Sequence, residues 1–335
     1  MTPSPLAQAT LAAALSDHRL ARTIARLARR LIVRLGDPLV EISVAGARLL
    51  APLSHDLPLY RRSFVHYDTA LPRLASHLQT TRHVGLTVVD VGANIGDSAA
   101  ALMASPDTRI LAIEGDQRFF QLLTANITAN RTQWADRVTP VHCLLGERSE
   151  TVAASIDVRH GTGRLQPSKR VSAMQTLAEV VARHPAYCNA ALVKIDTDGY
   201  DIAILRGARP WLASTQPVLF FEYDPHFWQA TTPDGGRLFG ELAEIGYGPL
   251  LAYDNFGWLL WSGTVHDQRR LQELDAWLSG RASSVYLDFC VFPATEAQSF
   301  EQFRTSEMRH FTSSVRQCRK ESRQLTRRDG PYRGS

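Results

Sequence analysis

The sequence predicts an α/β fold in which helices cover both faces of a doubly wound, mostly parallel sheet. Apolar, β-branched runs alternate with amphipathic stretches through the middle of the chain, which is typical of parallel strands joined by helices. Carboxylates directly follow several of these runs, at the edge of the sheet where such folds bind ligands. A length of 335 residues, of which 44% are hydrophobic, is sufficient for one large core with appended segments.

The predicted elements begin with an N-terminal lead-in over residues 1–70, which contains a helix at 18–35 and short strands at 39–44 and 47–50. The main domain is expected over residues 71–300, and residues 301–335 are expected to form a basic, flexible tail. Strands of the main domain are predicted at 88–91, 109–114, 138–145, 192–196, 218–222, 247–253, 256–261 and 285–292. Helices are predicted at 71–78, 97–103, 119–130, 174–182, 202–212 and 237–245.

The most informative segment is the first core strand and the glycine turn after it, with the pattern Asp90-x-Gly92-x-x-x-Gly96. A strand, a glycine turn and a helix together let the backbone approach a nucleotide-like ligand closely. A dinucleotide-binding fingerprint would have glycine in place of Asp90, whose carboxylate repels a pyrophosphate and attracts an ammonium group. The pattern therefore favours S-adenosylmethionine (SAM), which carries an ammonium and a sulfonium group.

A second acid, Glu114, ends the next predicted strand, 24 residues after Asp90. This separation is close to that of the acid that binds ribose hydroxyls in doubly wound folds. A carboxylate can accept hydrogen bonds from both the 2′- and the 3′-hydroxyl. We therefore predict that Glu114 binds the ribose of the cofactor.

Together with three further segments, these residues resemble the FkbM family of class I SAM-dependent methyltransferases. The resemblance implies a Rossmann-like, seven-stranded type of sheet, SAM as the cofactor and a catalytic domain over residues 71–300. Asp198 departs from the family pattern, in which glutamate is usual, and its shorter side chain could change its reach. The segments that carry the resemblance are residues 89–96, 112–116, 126–130, 193–201 with 205–208, and 218–222.

We assign the predicted cofactor site to the two motifs and to the glycine and acid that end the third predicted strand. These residues are Asp90, Gly92, Asn94, Gly96, Glu114, Gly146 and Glu147.

The predicted catalytic segment contains Lys194, Asp196 and Asp198, which alternate onto one face of an extended chain. Methyl transfer to a hydroxyl requires in-line positioning and a base that takes the hydroxyl proton. Asp196 is the first candidate for that base and Asp198 the second. Lys194 could lower the pKa of the acceptor through its charge, or act as a base if its own pKa is depressed. A strand-end ion pair with a helix cap at Asp198 remains the structural alternative.

The candidate acceptor site lies around the fifth predicted strand, where Glu222, Tyr223 and Trp228 could hydrogen-bond and stack on a sugar. His226 in the same segment is a further catalytic candidate, and packing against Trp228 is its equal alternative. The resemblance implies O-methylation of a hydroxyl on a sugar, glycan or natural product. The alternatives are a non-catalytic glycan-binding or assembly module with the same fold, and a nicotinamide dehydrogenase.

A divalent metal ion is a further possibility, because Asp196, Asp198 and Glu222 offer the hard oxygen ligands that Mg²⁺ prefers. Their spacing matches no diagnostic metal motif, so we assign no metal ligands. The four cysteines form neither a C-x-x-C pair nor a disulfide framework, which favours a reducing, cytoplasmic setting.

The charge of +4 is unevenly distributed, because residues 18–35 contain six arginines and no acid. Apolar residues recur there at three- and four-residue steps, which predicts an amphipathic helix. We expect its apolar stripe to pack on the catalytic domain or on a second subunit, and an anionic membrane surface is the alternative partner. Nucleic-acid binding is not expected, because the basic segments lack interleaved aromatic residues. The stripe contains Leu20, Ile24, Leu27, Leu31 and Leu35.

Overall fold

The computed structural model describes residues 2–83, 85–105, 107–134, 136–159, 162–229, 231–281 and 285–328. The strands are β1 (Leu39–Val44), β2 (Ala47–Pro52), β3 (Thr87–Val91), β4 (Arg109–Glu114), β5 (Val138–His142), β6 (Leu144–Leu145), β7 (Glu150–Arg159), β8 (Thr162–Gln175), β9 (Leu192–Ile195), β10 (Val218–Tyr223), β11 (Tyr247–Asp254), β12 (Leu259–Thr264) and β13 (Leu287–Pro293). The α-helices are α1 (Pro5–Ala14), α2 (Arg19–Gly36), α3 (Leu57–Ser63), α4 (Ala70–Arg82), α5 (Asp97–Leu102), α6 (Gln117–Ala129), α7 (Arg131–Trp134), α8 (Leu177–Ala182), α9 (Asp201–Gly207), α10 (Arg209–Thr215), α11 (Pro225–Trp228), α12 (Leu238–Glu244), α13 (Gln268–Ser279) and α14 (Ala297–Arg328).

The main sheet has the strand order β12-β11-β13-β10-β9-β3-β4-β5. Strands β10, β9, β3, β4 and β5 run parallel, whereas β13 is antiparallel to both of its neighbours and β12 is antiparallel to β11. The predicted α/β fold with a mostly parallel sheet is confirmed, and β12 extends its edge to eight strands. The five parallel strands therefore place their carboxyl ends at one edge of the sheet.

Two apolar layers cover the two faces of this sheet, and successive residues of a strand belong to different layers. Val88 and Phe220 lie in the layer that includes the β1–β2 hairpin. Val89 and Phe221 lie in the opposite layer, under α8 and α9. Side chains alternate between the faces of a strand, so neighbouring residues at the carboxyl edge reach different sides of the sheet.

Several predicted elements differ from the structure at their boundaries. The single helix predicted at 202–212 is divided into α9 and α10, with Pro210 at the start of α10, where it has no backbone N–H to continue the preceding helix. Helix α8 begins only at Leu177, after a capping box formed by Thr176 and Glu179. The strand predicted at 138–145 ends at His142, and the residues of β6 join a separate sheet with β8 and β7.

The C-terminal segment is helical through Arg328, whereas the sequence predicted a flexible tail over residues 301–335; residues 329–335 lie outside the described residues. Glu307 on α14 has a side chain that is only 1% exposed and pairs with both Nε and Nη2 of Arg73 on α4, at 2.6 and 2.7 Å. The hydroxyl of Tyr253 on β11 donates to the same carboxylate at 2.9 Å. These contacts fix α14 to the domain.

Helix α2 forms where it was predicted, but its apolar stripe is not covered. The five residues of the stripe are 56–88% exposed, so no described residue of the catalytic domain covers them, and packing on a second subunit stays a prediction. The opposite side of α2 faces the protein: Ala25 is buried, and Arg29 donates to the carbonyl oxygen of Leu53 at 2.8 Å. None of the described helices combines the length and the apolar character that crossing a membrane requires.

Candidate functional site

Two adjoining cavities open at the carboxyl edge of the sheet. The smaller one, of about 80 Å³, lies between the ends of β3 and β4 and the residues of β6, and we call it the small cavity. The other, of about 340 Å³, lies between the ends of β9, β10 and β13 and the residues after α3, and we call it the large cavity. The two cavities share Gly92, Asn94, Asp196 and Asp198 as lining residues. We call these four residues the shared wall.

Gly92 allows the loops after β3 and β9 to meet. Its φ is +74°, a backbone conformation that residues other than glycine rarely adopt. Its N–H donates to the carbonyl oxygen of Ile113 at 3.0 Å. A Cβ atom at this position would lie only 1.9 Å from the carbonyl oxygen of Asp196. The predicted glycine turn therefore sets the close approach of the two loops that form the shared wall. Gly96, with φ of +91°, caps the N-terminus of α5.

Glu114 lies at the end of β4 and lines the small cavity. Its two carboxylate oxygens accept hydrogen bonds from the backbone N–H groups of Asn94 and Asp116, each at 2.7 Å. Burial raises the pKa of Glu114 to about 7, although the two N–H donors oppose this shift. An ionised carboxylate can accept about four hydrogen bonds, so Glu114 keeps capacity for a ligand while its orientation is fixed.

Asp90 occupies a different place from the one predicted for a residue that contacts the cofactor. Its side chain is fully buried and lines neither cavity. It accepts a hydrogen bond from the hydroxyl of Ser98 at 2.5 Å, and the ammonium group beside it is that of Lys194, at 3.4 Å. Burial raises the pKa of Asp90, and the charge of Lys194 opposes this shift.

Lys194 connects Asp90 with the shared wall. Its Nζ atom donates to the carbonyl oxygen of Gly92 at 3.0 Å and lies 3.4 Å from the carboxylate of Asp196. Burial alone would lower the pKa of Lys194, but the carboxylates of Asp196 and Asp90 outweigh it and raise the pKa above its ordinary value. Lys194 is therefore a fixed positive charge behind Asp196, whose own side chain is 51% exposed.

The loop after β9 is held in shape by Asp201, the first residue of α9, which the sequence reasoning did not single out. Its carboxylate accepts hydrogen bonds from the hydroxyl of Thr197 at 3.0 Å and the N–H of Gly199 at 3.3 Å. Burial raises the pKa of Asp201 to about 7. Asp198 lies inside this loop with φ of +51° and faces both cavities. The position of Asp201, two residues after a glycine and at a helix start, is the signal that could have identified it.

The large cavity is strongly acidic. Asp68 lines this cavity, and desolvation by the surrounding protein, together with the charges of Asp97 and Asp196, raises its pKa to about 8. Burial, together with the charge of Asp196, also raises the pKa of Glu222 and of Asp288 well above the usual range. At neutral pH Asp68 is therefore largely protonated, and Glu222 and Asp288 bind their protons more tightly than exposed carboxyl groups do. The seven carboxyl groups that line the cavity belong to Asp56, Asp68, Asp97, Asp196, Asp198, Glu222 and Asp288.

Of the predicted acceptor-site residues, only Glu222 lines a cavity. Tyr223 and Trp228 are buried in the opposite apolar layer, where the Tyr223 hydroxyl donates to the carboxylate of Asp275 at 2.8 Å. His226 is exposed on α11 and lines neither cavity. The structure therefore does not bring these three side chains to the candidate site.

Gly146 and Glu147 follow β6 but line neither cavity, whereas Leu144 and Leu145 line the small cavity. A Cβ atom on Gly146 would lie 2.2 Å from the sulfur of Met174, so glycine at this position permits close packing behind the cavity wall. Within the described part of the chain, no three His, Cys, Asp or Glu side chains are grouped as ligands of one metal ion.

The parallel sheet, the glycine turn and the acid at the end of β4 define a Rossmann-like α/β protein with a binding site at the carboxyl edge. The family model of the methyltransferase FkbM domain matches residues 90–248. Over residues 90–248 the chain is therefore similar to the methyltransferase FkbM domain. No curated protein sequence matches the chain significantly.

Several solved structures are similar to this chain. The methyltransferase FkbM from Methylobacillus flagellatus KT has 20% sequence identity and a TM-score of 0.37; the match covers 50% of this chain and 40% of that one. The precorrin-6y C5,15-methyltransferase from Geobacter metallireducens GS-15 has 12% identity and a TM-score of 0.36, over 65% of this chain and 87% of that one. TYW2 from P. horikoshii, in complex with MeSAdo, has 13% identity and a TM-score of 0.37, over 77% and 72%.

Proposed function

We propose that this protein uses SAM to methylate a hydroxyl group of a polyhydroxylated acceptor, such as a sugar, a glycan or a glycosylated natural product. The observation that carries the proposal is the shared wall, through which a cavity suited to a nucleoside adjoins a larger, acidic cavity. Donor and acceptor could therefore be held on either side of the same few residues. Methyl transfer depends chiefly on such positioning.

The residues of the small cavity fit SAM. Glu114 offers a fixed carboxylate to the ribose hydroxyls, and Phe119 and Met174 offer apolar surface to the adenine ring. The carboxylates of Asp196 and Asp198 line the same cavity and follow β9, on the other side of β3 from Glu114, where they suit the positively charged methionine part. When bound, SAM supplies an electrophilic methyl group. Asp90 would act indirectly, because it pairs with Lys194 and lines neither cavity.

Asp196 is the best candidate for the base, because it lines both cavities and is the most accessible carboxylate beside Lys194. It would accept the hydroxyl proton of the acceptor while the new O–C bond forms. Lys194 keeps its proton because its pKa is raised, so its role is to orient Asp196 and to stabilise the developing alkoxide. Asp198 is the second candidate for the base.

The acidic lining of the large cavity favours a neutral acceptor with many hydroxyl groups. Ionised carboxylates accept hydrogen bonds from hydroxyls, and protonated ones donate to hydroxyl oxygens. The raised pKa of Asp68, about 8, makes both states accessible near neutral pH. A polyanion such as a nucleic acid would be repelled by the same carboxylates.

The test measures cofactor binding and methyl transfer separately. Calorimetry with S-adenosylhomocysteine should show binding to the wild type and to Asp196→Asn, and about tenfold weaker binding to Glu114→Gln, as expected for one hydrogen bond to a charged group. Methyl transfer from deuterium-labelled SAM to a panel of glycosides is then followed by mass spectrometry. Asp196→Asn should lose at least about 100-fold in rate, the usual contribution of a general base.

Two results would contradict the proposal. Equal transfer rates for Asp196→Asn and the wild type would remove Asp196 from the reaction. A folded wild type that binds glycosides but neither SAM nor S-adenosylhomocysteine would instead be the non-catalytic glycan-binding module.

A further inference from the structure

Helix α2 exposes an apolar face that nothing in the described chain covers. Leu20, Ile24, Leu27 and Leu31 are 56–64% exposed, and Leu35 is 88% exposed. Their spacing of three and four residues places them along one side of the helix. At 18 residues α2 is about 27 Å long, so the stripe is a continuous apolar surface.

The rest of α2 is strongly basic. It contains six arginines and no aspartate or glutamate. Arg29 turns inward, where it pairs with Asp56 at 2.6 Å and donates to the carbonyl oxygen of His55 at 3.3 Å. The exposed members of the set extend into solvent next to the stripe. They are Arg19, Arg26, Arg30 and Arg34.

We propose that α2 lies in the surface plane of an anionic lipid bilayer, with the stripe inserted at the boundary of headgroups and acyl chains. Helix α2 is strongly amphipathic, has low overall hydrophobicity and carries arginines beside its apolar face. These are the features of helices that lie at a membrane interface. The exposed guanidinium groups would pair with lipid phosphates and anionic headgroups. A bilayer supplies both the apolar layer and the negative charge that this face lacks.

A second copy of the chain is a poorer occupant for the same face. Stripe-to-stripe packing of two α2 helices would bring two arginine rows together, and neither helix contributes a carboxylate. Like charges at that distance repel, and the bilayer has no such cost. Charge complementarity therefore favours lipid over self-association.

The inward side of α2 is attached to the rest of the protein by several contacts, so membrane binding of α2 would also position the domain. The α1–α2 pair packs together, Ile32 and Val33 pack on the core, and Arg29 is tied to the segment before α3. That segment includes His55 and Asp56, which line the large cavity. Docking of α2 would therefore bring the large cavity close to the lipid surface.

Vesicle co-sedimentation of the full chain tests the proposal and needs no acceptor. Wild-type protein should bind vesicles of phosphatidylcholine with phosphatidylglycerol, and binding should fall at least about tenfold in vesicles of phosphatidylcholine alone or in high salt. The double variant Leu27→Gln/Leu31→Gln and the triple variant Arg26→Gln/Arg30→Gln/Arg34→Gln should each weaken binding by about tenfold or more.

The matched control is Leu260→Gln, which replaces a leucine that is 51% exposed on β12, far along the chain from α2. It should leave vesicle binding within about twofold of the wild type, since a lone surface residue contributes little. Hydrogen exchange of the wild type adds an independent readout: vesicles should protect residues 19–36.

Three outcomes would overturn the proposal: no binding to anionic vesicles, equal losses in the control and stripe variants, or no added protection at 19–36. A dimer in sedimentation velocity that the stripe variant dissociates, without vesicle binding by the wild type, would identify a second copy as the occupant. Loss of methyl transfer without loss of vesicle binding would concern the proposed function and leave this inference intact.

Discussion

Replacing Gly92 by alanine should both destabilise the fold and disturb the shared wall. At φ of +74° an alanine costs about 1–2 kcal/mol through its strained backbone. Its Cβ would also lie 1.9 Å from the carbonyl oxygen and 2.9 Å from the carbonyl carbon of Asp196, where backbone atoms leave no flexible side chain to yield. Overpacking of this kind costs about 1–3 kcal/mol more. We therefore expect Gly92→Ala to lose about 2–5 kcal/mol of unfolding free energy in total.

The matched control is Gly46→Ala in the turn between β1 and β2. Gly46 has φ of +87°, but a Cβ there would meet no atom within 4 Å, so only the backbone term applies. Urea denaturation should show about 1–2 kcal/mol for Gly46→Ala and a clearly larger loss for Gly92→Ala. Only Gly92→Ala should weaken binding of S-adenosylhomocysteine, because Gly92 lines the small cavity and its Cβ would displace the backbone of the loop after β9. Equal losses of stability in the two variants would refute the close contact between the loops.

Two further predictions concern stability. In urea denaturation Glu307→Ala should lose about 3–5 kcal/mol of unfolding free energy, because it leaves Arg73 and the Tyr253 hydroxyl without their buried partner. The control Glu301→Ala removes an exposed carboxylate and should lose less than about 1 kcal/mol. Similar losses in the two variants would contradict the role of Glu307 in fixing α14 to the domain. Burial raises the pKa of Glu114 from 4.5 to about 7, so the folded state binds this proton more tightly, and the resulting stability is complete below pH 4.5 and is lost as the pH rises through 7. The rise in pKa from 4.5 to about 7 corresponds to about 3 kcal/mol. Between these pH values the unfolding free energy of the wild type should therefore fall by about this amount relative to that of Glu114→Gln. A difference between the two proteins that does not change with pH would contradict the burial of this carboxyl group.

Local patterns were sufficient to predict the centre of the fold. The β-branched run before Gly92 and the apolar run before Glu114 form adjacent parallel strands, as their sequences indicated. The glycine turn and the acid meet because parallel strands end at one edge, which is a property of the topology. For this reason the placement of Glu114 at the small cavity followed from two short motifs.

The acceptor side was harder to predict, because a strand in the middle of a parallel sheet is buried on both faces. Glu222 and Tyr223 are neighbours on β10, yet Glu222 faces the large cavity and Tyr223 faces the opposite apolar layer. A strand that is apolar throughout gives no alternation from which to read its two faces. The sequence interpretation therefore assigned both residues to the acceptor.

Distant segments supplied the rest of the large cavity. Asp68 comes from the lead-in, and Asp288 comes from an antiparallel strand paired with β10. Neither residue lies in a motif, and only the tertiary fold brings them to Asp196. The periodicity of α2 likewise predicted an amphipathic helix, but periodicity does not specify what covers the apolar face.

The hydrogen bonds of Arg29 begin a chain of contacts from helix α2 to Glu114 in the small cavity. Arg29 donates to the carbonyl oxygen of His55, whose Nε2 lies 3.4 Å from Asn94 Oδ1, and the N–H of Asn94 donates to Glu114 at 2.7 Å. Any free-energy coupling carried by these contacts is reciprocal. The factor by which vesicles change the affinity for S-adenosylhomocysteine must equal the factor by which S-adenosylhomocysteine changes the affinity for vesicles, so two independent titrations measure one allosteric constant.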